Sequence, residues 1–246
     1  MNKIIKGKNR NNKTAAALFV FQVIVGICPV LLLVVFVWLK LYETPITAAV
    51  MIILIFLCNV GYAFLARRYN VLTSGLRGEK QLYRTARKLS GNNIILRNLP
   101  VSCKRGRSEI DLMVISHKGV IIVEVKNHSG TISGSWKAEK WTQKKFYRDG
   151  KNSTAEMDNP IKQMRRQRDI VKSILSASGE DVWVDTVLFF SSPNAKLRLN
   201  LRENDYVCSS SAELFHFLES YDRGETISRS RMEKIAAVLR EAAKDL

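Results

Sequence analysis

Asp111, Glu124 and Lys126 are charged residues inside two strongly apolar segments, and their spacing predicts a shared site. The segments are typical of two strands joined by a turn at His117-Lys118. A turn centred there places Asp111 opposite Glu124. Directly facing side chains of an antiparallel pair lie on one side of the sheet, about 4.5–5.5 Å apart. The register therefore predicts two adjacent carboxylates.

Such a pair of carboxylates favours a hard divalent cation. Like charges side by side destabilise a sheet unless something compensates them. Asp111 and Glu124, with waters and a phosphate oxygen, would supply the oxygen ligands that suit Mg²⁺ or Mn²⁺. Lys126 shares the face of Glu124 because alternate strand residues point the same way, and we expect it to orient or deprotonate an attacking water or to stabilise the developing charge. The alternative is a solvated charge cluster in which Glu109 pairs with Lys126.

Two further polar residues are candidates for the same site. Glu79 lies on the apolar stripe of a predicted helix, where a carboxylate is costly unless it is used or paired. Its alternative role is that of a first-turn acid favoured by the helix dipole. Gln163 lies in the first turn of a helix that Asn159-Pro160 should start, and its alternative is a surface glutamine.

These residues resemble a known family, the nuclease-related domain (NERD) of the PD-(D/E)xK restriction-endonuclease-like superfamily. The matching stretches, in order, are Gly78-Glu79, Glu109-Ile110-Asp111, Gly119 through Asn127 with Glu124 and Lys126, Ser129-Gly130, Trp141, and Asn159-Pro160-Ile161 with Gln163. The resemblance implies a four-stranded αβββαβ core and metal-dependent phosphodiester cleavage. It makes Asp111 and Glu124 metal ligands, Lys126 the catalytic lysine, and Glu79 and Gln163 auxiliary. The sequence departs from the family pattern at Ile110, where proline is usual, and at Leu112, where many relatives have histidine.

The segment after residue 67 has the pattern of one α/β domain. Helices are predicted over 75–90, 160–177, 212–220 and 229–244, and strands over 94–99, 110–116, 120–127, 182–190 and 206–209, with a further hairpin over 131–148. The resulting fold class is α/β, a restriction-endonuclease-like core preceded by a two-helix transmembrane hairpin.

The first part of the chain predicts that hairpin. Between residues 15 and 66 the only charged residues are Lys40 and Glu43, and about 20 apolar helical residues suffice to cross a bilayer. We expect Gln22 and Asn59 to lie at matched depth and to hydrogen-bond across the pair, the alternative being that each amide faces a partner protein or snorkels alone. The alternatives are a signal peptide, for which the apolar run is too long, and buried helices of a soluble protein.

The predicted organisation has seven parts: a basic cytoplasmic tail 1–14, transmembrane helix 15–39, loop 40–45, transmembrane helix 46–66, linker 67–74, NERD-like nuclease domain 75–200, and C-terminal strand and helices 201–246. Basic residues flank both outer ends of the hairpin, which predicts cytoplasmic termini and a cytoplasmic catalytic domain in a two-pass protein of a prokaryotic inner membrane. A homo-oligomer is compatible with the sequence, which does not argue for one. The four cysteines and three histidines show no zinc-ligand spacing.

The net charge of +17 excludes an acidic solvating protein and predicts an anionic partner. Nucleic acid is the first candidate, because clustered basic residues and interleaved aromatics are typical of phosphate and base binding. The residues expected to bind it are Lys104, Arg105, Arg107, Lys144, Lys145, Arg165, Arg166 and Arg168. The alternative is attraction to anionic lipid of the bilayer.

The sequence therefore predicts a membrane-anchored, Mg²⁺- or Mn²⁺-dependent nuclease, with DNA favoured over RNA. A second hypothesis is a module of the same fold that tethers nucleic acid at the membrane without cutting it. A third is a membrane scaffold whose basic face binds lipid or a protein.

Overall fold

The computed structural model of the chain describes residues 2–7, 10–104, 106–147, 149–224 and 226–243. The chain forms two compact units, one over Asn9–Leu76 and the other combining Met1–Lys8 with Arg77–Leu246.

The helical unit contains two long apolar helices. Helix α1 spans Arg10–Trp38, a short 3-10 helix spans Leu41–Glu43, and helix α2 begins at Pro45 and continues to Ala86. Both are long and apolar enough to cross a membrane. The expected linker over 67–74 is wrong, since these residues are helical and belong to α2. Nothing in that segment breaks a helix, because it holds neither glycine nor proline.

The expected pairing of Gln22 with Asn59 is also wrong. The Asn59 side-chain amide donates to the Ile55 carbonyl of its own helix at 2.8 Å. The helices instead match Val25 with Gly61, where an added Cβ would lie 3.7 Å from Val25 Cγ1. Tertiary packing, rather than matched ends of the apolar runs, sets this register.

The main sheet has six strands in the order β1-β2-β3-β4-β8-β10. Its strands are β1 (Lys3–Lys6), β2 (Ile94–Cys103), β3 (Gly106–Ser116), β4 (Gly119–Lys126), β8 (Val184–Phe190) and β10 (Tyr206–Cys208). Strands β2, β3 and β4 are antiparallel neighbours, whereas β4 and β8 are parallel. With the end of α2 before β2 and α3 (Pro160–Ala177) before β8, the order is the expected helix, three strands, helix, strand.

A second sheet has four strands in the order β7-β6-β5-β9. Its strands are β5 (Gly130–Ser135), β6 (Lys140–Phe146), β7 (Asn152–Asp158) and β9 (Ala195–Asn200). In the chain, β5, β6 and β7 precede α3, and β9 follows β8. Only the β5–β6 hairpin was expected. Strands β7 and β9 lack long apolar runs, and pairing with neighbours provides the stability that their sequences alone do not.

Helices cover both faces of the main sheet. One face, the α3 side, packs Ile122 and Met113 against α3 and α5 (Arg229–Glu241). The other, the α2 side, packs Val123 and Leu112 against the end of α2 and α4 (Ser211–Ser220). Strand β4 is therefore buried on both faces, as its continuous apolar run predicts.

Strand β1 corrects the expectation that residues 1–14 are only a basic tail. Residues 3–6 pair in parallel with β2, Lys3 opposite Ile94 and Lys6 opposite Arg97. Four residues, two of them lysine, give too weak a strand pattern for prediction, since the stability comes from an edge supplied some 90 positions away in the sequence.

Candidate active site

The site lies where β3 and β4 separate. The β3–β4 ladder ends at the pair Leu112–Val123, whereas the β4–β8 ladder continues to Lys126–Phe190. We call the resulting opening between β3 and β4 the fork. Asp111 occupies it, and its Oδ2 accepts a hydrogen bond from the Val125 backbone N–H at 2.9 Å.

Glu124 lies on the other side of the fork and is 2% exposed. Its Oε1 accepts from Lys126 Nζ at 2.7 Å and from Gln163 Nε2 at 2.7 Å. Its Oε2 accepts from Gln167 Nε2 at 2.8 Å. A buried carboxylate is costly unless it is hydrogen-bonded and paired, and these three donors satisfy both conditions.

Lys126 and Gln163 are also joined directly. Lys126 Nζ donates to Gln163 Oε1 at 3.0 Å, so the amide accepts from the ammonium with one end and donates to Glu124 with the other. Asn159 caps α3 by accepting from the Ile161 N–H at 2.9 Å, which fixes the first turn that carries Gln163. The expected grouping of Glu124, Lys126 and Gln163 is present.

Asp111 carries the main electrostatic perturbation of the site. Burial raises the pKa of its carboxyl well above the ordinary value, and the charges of Glu124 and Glu79 raise it further. The hydrogen bond from Val125 and the charge of Lys126 act in the opposite direction. The ionised form of Asp111 is thus disfavoured by its burial and by the two neighbouring acids.

Glu79 takes part in this field from the end of α2. Its Oε2 accepts from Asn98 Nδ2 at 2.8 Å, and its charge acts on Asp111. The auxiliary candidate Glu79 therefore lies close enough to influence the fork.

The two carboxylates, Asp111 and Glu124, suit a hard cation that takes only some of its ligands from the protein. A carboxylate has about four lone-pair positions, and Glu124 uses three of them within the protein. Within the described ranges no group of three or more His, Cys, Asp or Glu side chains could hold a metal ion. Asp111 and Glu124 would hold Mg²⁺ only together with waters and substrate oxygens, which is the usual way that this ion is bound.

His128 extends the site towards the second sheet. Burial lowers the pKa of its imidazole, and the charges of Lys126 and then Lys145 lower it further. His128 is therefore biased towards its neutral form beside the catalytic candidate Lys126.

The basic residues expected to bind nucleic acid have different environments. Arg165 makes two hydrogen bonds to Asp205, at 2.7 and 2.9 Å, and Arg166 donates to the Arg107 carbonyl at 2.9 Å. Arg168 lies 3.5 Å from Asp169, and Lys145 is half-buried. The side chains of Lys104, Arg107, Lys144 and Arg166 are exposed, and Arg105 lies outside the described residues.

Two residues of the site were not singled out from the sequence. Gln167 is fully buried and links Glu124 to the Glu109 carbonyl, to which it donates at 3.0 Å. Its position one turn after Gln163, on the apolar stripe of α3, is a usable signal. Asn98 is 2% exposed within β2, and a lone asparagine in a strand gives no comparable signal.

Comparisons with known proteins point to one family. Residues 74–191 match the family model of the nuclease-related domain, NERD. A segment of 71 residues is 42% identical to an uncharacterized protein of Bacillus anthracis, covering 28% of this chain and 34% of that protein. The match thus spans about a third of that relative's length. No solved structure matches the chain.

The fold around the fork is that of a mixed α/β domain consistent with a nuclease-like architecture. Residues 74–191 belong to the nuclease-related domain family, which confirms the resemblance inferred from the sequence.

Proposed function

We propose that the protein is a membrane-anchored, divalent-metal-dependent nuclease that hydrolyses phosphodiester bonds, with DNA as the favoured substrate. The observation that carries the proposal is the fork, in which Asp111 lies beside a buried Glu124 that is hydrogen-bonded to Lys126. Two acids and a lysine converging on one opening are the groups that metal-assisted phosphodiester hydrolysis needs.

Each side chain has a separate task in this proposal. Asp111 and Glu124 would hold Mg²⁺, which when bound supplies charge stabilisation and an activated water. Lys126 Nζ has three donors, two of which go to Glu124 and Gln163, so the third can reach a substrate phosphate oxygen or the attacking water. Gln163 holds the ammonium in place, and Glu79 adds negative charge that acts on Asp111.

The charge distribution supports nucleic acid as the substrate. Exposed Lys104, Arg107, Lys144 and Arg166 can contact phosphates. Arg165 is different, because its guanidinium is paired with Asp205 and its loss would disturb α3. We therefore assign Arg165 a structural role and keep the exposed basic side chains as the proposed binding surface.

The two apolar helices support the anchor. Their length and composition suit a bilayer, and the basic flanks favour cytoplasmic termini and a cytoplasmic nuclease domain in a two-pass inner-membrane protein.

The second candidate function is a non-cleaving module that tethers nucleic acid at the membrane. The observation in its favour is that Lys126, Gln163 and Gln167 already satisfy Glu124, so the site is stable without a cation. Both candidates predict salt-sensitive binding, and only the first predicts cleavage.

The experiment uses the full-length protein in detergent micelles, because β1 comes from the residues before α1 and a soluble fragment would lose it. Labelled single- and double-stranded DNA and RNA are incubated with Mg²⁺, Mn²⁺ or EDTA. We expect cleavage with either cation, none with EDTA, and none by Asp111→Asn, which should still bind nucleic acid.

Each alternative outcome is informative. Salt-dependent binding without cleavage under any cation would establish the tethering module instead. Equal cleavage by wild type and Asp111→Asn would show that the fork is not the catalytic site. Neither binding nor cleavage would reject both candidates.

A further inference from the structure

In both β2 and β3, the alternation of side chains between the two faces of the sheet is shifted by one residue at a single facing pair. In β2, Ile94 and Leu96 belong to the α3-side core, yet so do Leu99 and Val101. Side chains of a strand alternate strictly between faces, so odd and even positions cannot share a face unless the alternation is reset between them. The reset falls between Leu96 and Leu99.

Asn98 is the residue that resets the alternation. Its φ is +48°, the left-handed region in which asparagine is enriched among non-glycine residues. The pairs Arg97–Leu112 and Leu99–Ile110 are both formed, and no pair is formed between them. Asn98 therefore lies opposite Asp111, at the one interruption of this ladder.

The same shift occurs in β3 at Asp111. Leu112 packs on the α2 side, whereas Ile110 and Met113 pack on the α3 side. Asp111 thus belongs to neither core face, and its carboxylate turns to the Val125 N–H in the fork. The left-handed Asn98 and the placement of Asp111 are two parts of one local distortion.

The Asn98 side chain acts on the other acid. Its Nδ2 donates to Glu79 Oε2 at 2.8 Å, and the residue is 2% exposed. Its Oδ1 has no hydrogen-bond partner among the described residues. A buried amide that leaves its oxygen unsatisfied is costly, which argues that the contact with Glu79 serves more than stability.

Gly7, which follows β1, packs against the backbone of Asn98. The Gly7 N–H donates to the Arg97 carbonyl at 2.7 Å, and a Cβ on Gly7 would lie 2.0 Å from the Asn98 carbonyl oxygen. Only glycine allows this approach. The edge strand therefore packs directly against the distorted peptide.

From these contacts we infer that Asn98 is a positioning residue for the fork: its backbone turns Asp111 out of the sheet faces, and its amide holds the Glu79 carboxylate beside Asp111. This inference rests on the proposed nuclease function. It assigns Asn98 no contact with the substrate.

The test separates backbone from amide with two substitutions in the full-length protein. Asn98→Gly keeps the left-handed conformation and removes the amide, whereas Asn98→Ala removes both. For each variant, kcat and KM on labelled DNA, the dissociation constant for Mn²⁺ alone, and the unfolding temperature are measured. The same set is measured for Glu79→Ala and for its combination with Asn98→Gly.

We expect Asn98→Gly to unfold near the wild-type temperature but to lose about tenfold in kcat and in Mn²⁺ affinity, the usual range for residues that orient ligands, with little change in KM. Asn98→Ala should lose more in every measurement. Adding Asn98→Gly to Glu79→Ala should cause no further loss, because the amide acts through that carboxylate.

Wild-type kcat and Mn²⁺ affinity in Asn98→Gly would overturn the inference while leaving the nuclease function intact. Losses that multiply in the combined variant would also overturn it. If the wild type binds Mn²⁺ but does not cleave, the nuclease function fails and the Mn²⁺ affinities alone decide the role of Asn98. A wild type that neither cleaves nor binds Mn²⁺ would reject both.

Discussion

The molecule contains two antiparallel hairpins, β3–β4 and α1–α2, and their registers differ in how well the sequence predicts them. In the β-hairpin the expected register holds from Ile115–Val120 to Leu112–Val123, but the pair of Asp111 with Glu124 expected beyond it is not formed. In the helical hairpin, Gln22 and Asn59 were expected to lie at the same level, but Gly61 instead lies at the level of Val25. A short turn between strands fixes the register, whereas the ends of apolar runs do not.

The physical reason lies in what each connection determines. A tight turn and period-two alternation leave a strand pair one register that buries the apolar face. A pair of helices has no such constraint, and its register is set by where small residues allow the helices to pack closely. Gly26 approaches the Tyr62 ring, from which an added Cβ would be 3.3 Å, so close packing sets the helix register.

The largest effect should come from the acid–lysine group that the β-hairpin brings together. Lys126→Met should lower the cleavage rate by about 10²–10⁴-fold, the range for losing a positioned proton-transfer or charge-stabilising group. Lys196→Met, which changes an exposed lysine on β9, is the matched control and should retain most activity. Rates under substrate saturation measure both, and equal losses would mean that general positive charge matters rather than the hairpin register.

The next largest effect should come from Gln167, which supports the hairpin from α3. Gln167→Leu leaves Glu124 Oε2 and the Glu109 carbonyl without this donor, and a buried unsatisfied group costs about 1–3 kcal/mol. Denaturant unfolding should show a lower free energy of unfolding. Lys162→Gln, which removes a half-buried ammonium paired with Glu139 from the same helix, should cost less, because ion pairs near the surface contribute about 0–1 kcal/mol. A neutral Gln167→Leu would show that other donors replace it.

A smaller effect of opposite sign is expected at Asp111. Because its pKa is raised in the folded state, ionisation is disfavoured there, and the stability linked to this group is present below the ordinary value of 3.8 and lost as pH rises through the raised value. Asp111→Asn should therefore unfold a few degrees higher than wild type at neutral pH in EDTA, since about 1 kcal/mol shifts the unfolding temperature by 2–4 °C in domains of this size.

The pH series provides the control for that prediction. The difference between Asp111→Asn and wild type should shrink towards pH 4 and should shrink again when Mg²⁺ is added at neutral pH. A variant that is less stable than wild type at every pH would show that the Asp111 carboxylate is a net stabilising group.

The sequence predicts the centre of the domain well and its distortions poorly. Apolar β4 and the Asn159-Pro160 start of α3 are local signals, so spacing predicts Glu124 and Lys126 on one strand face, and the family resemblance adds Gln163. Strand β1 depends on a partner edge far along the chain. The left-handed backbone conformation of Asn98 concerns a single residue and depends on tertiary packing. No periodic pattern in the sequence predicts it.

The last prediction tests the helical hairpin without changing its stability appreciably. Cys28 and Cys58 lie at one level in the helix register that Val25 and Gly61 set, so these native cysteines should crosslink under mild oxidation in membranes. Gln22→Cys with Asn59→Cys, in a variant lacking both native cysteines, should crosslink far less, because Asn59 turns to Ile55 of its own helix. Gel mobility of the chain after cleavage in the loop between the helices reads out both. An efficient Gln22–Asn59 crosslink with a poor native one would restore the register expected from the apolar runs and remove the contrast between the two hairpins.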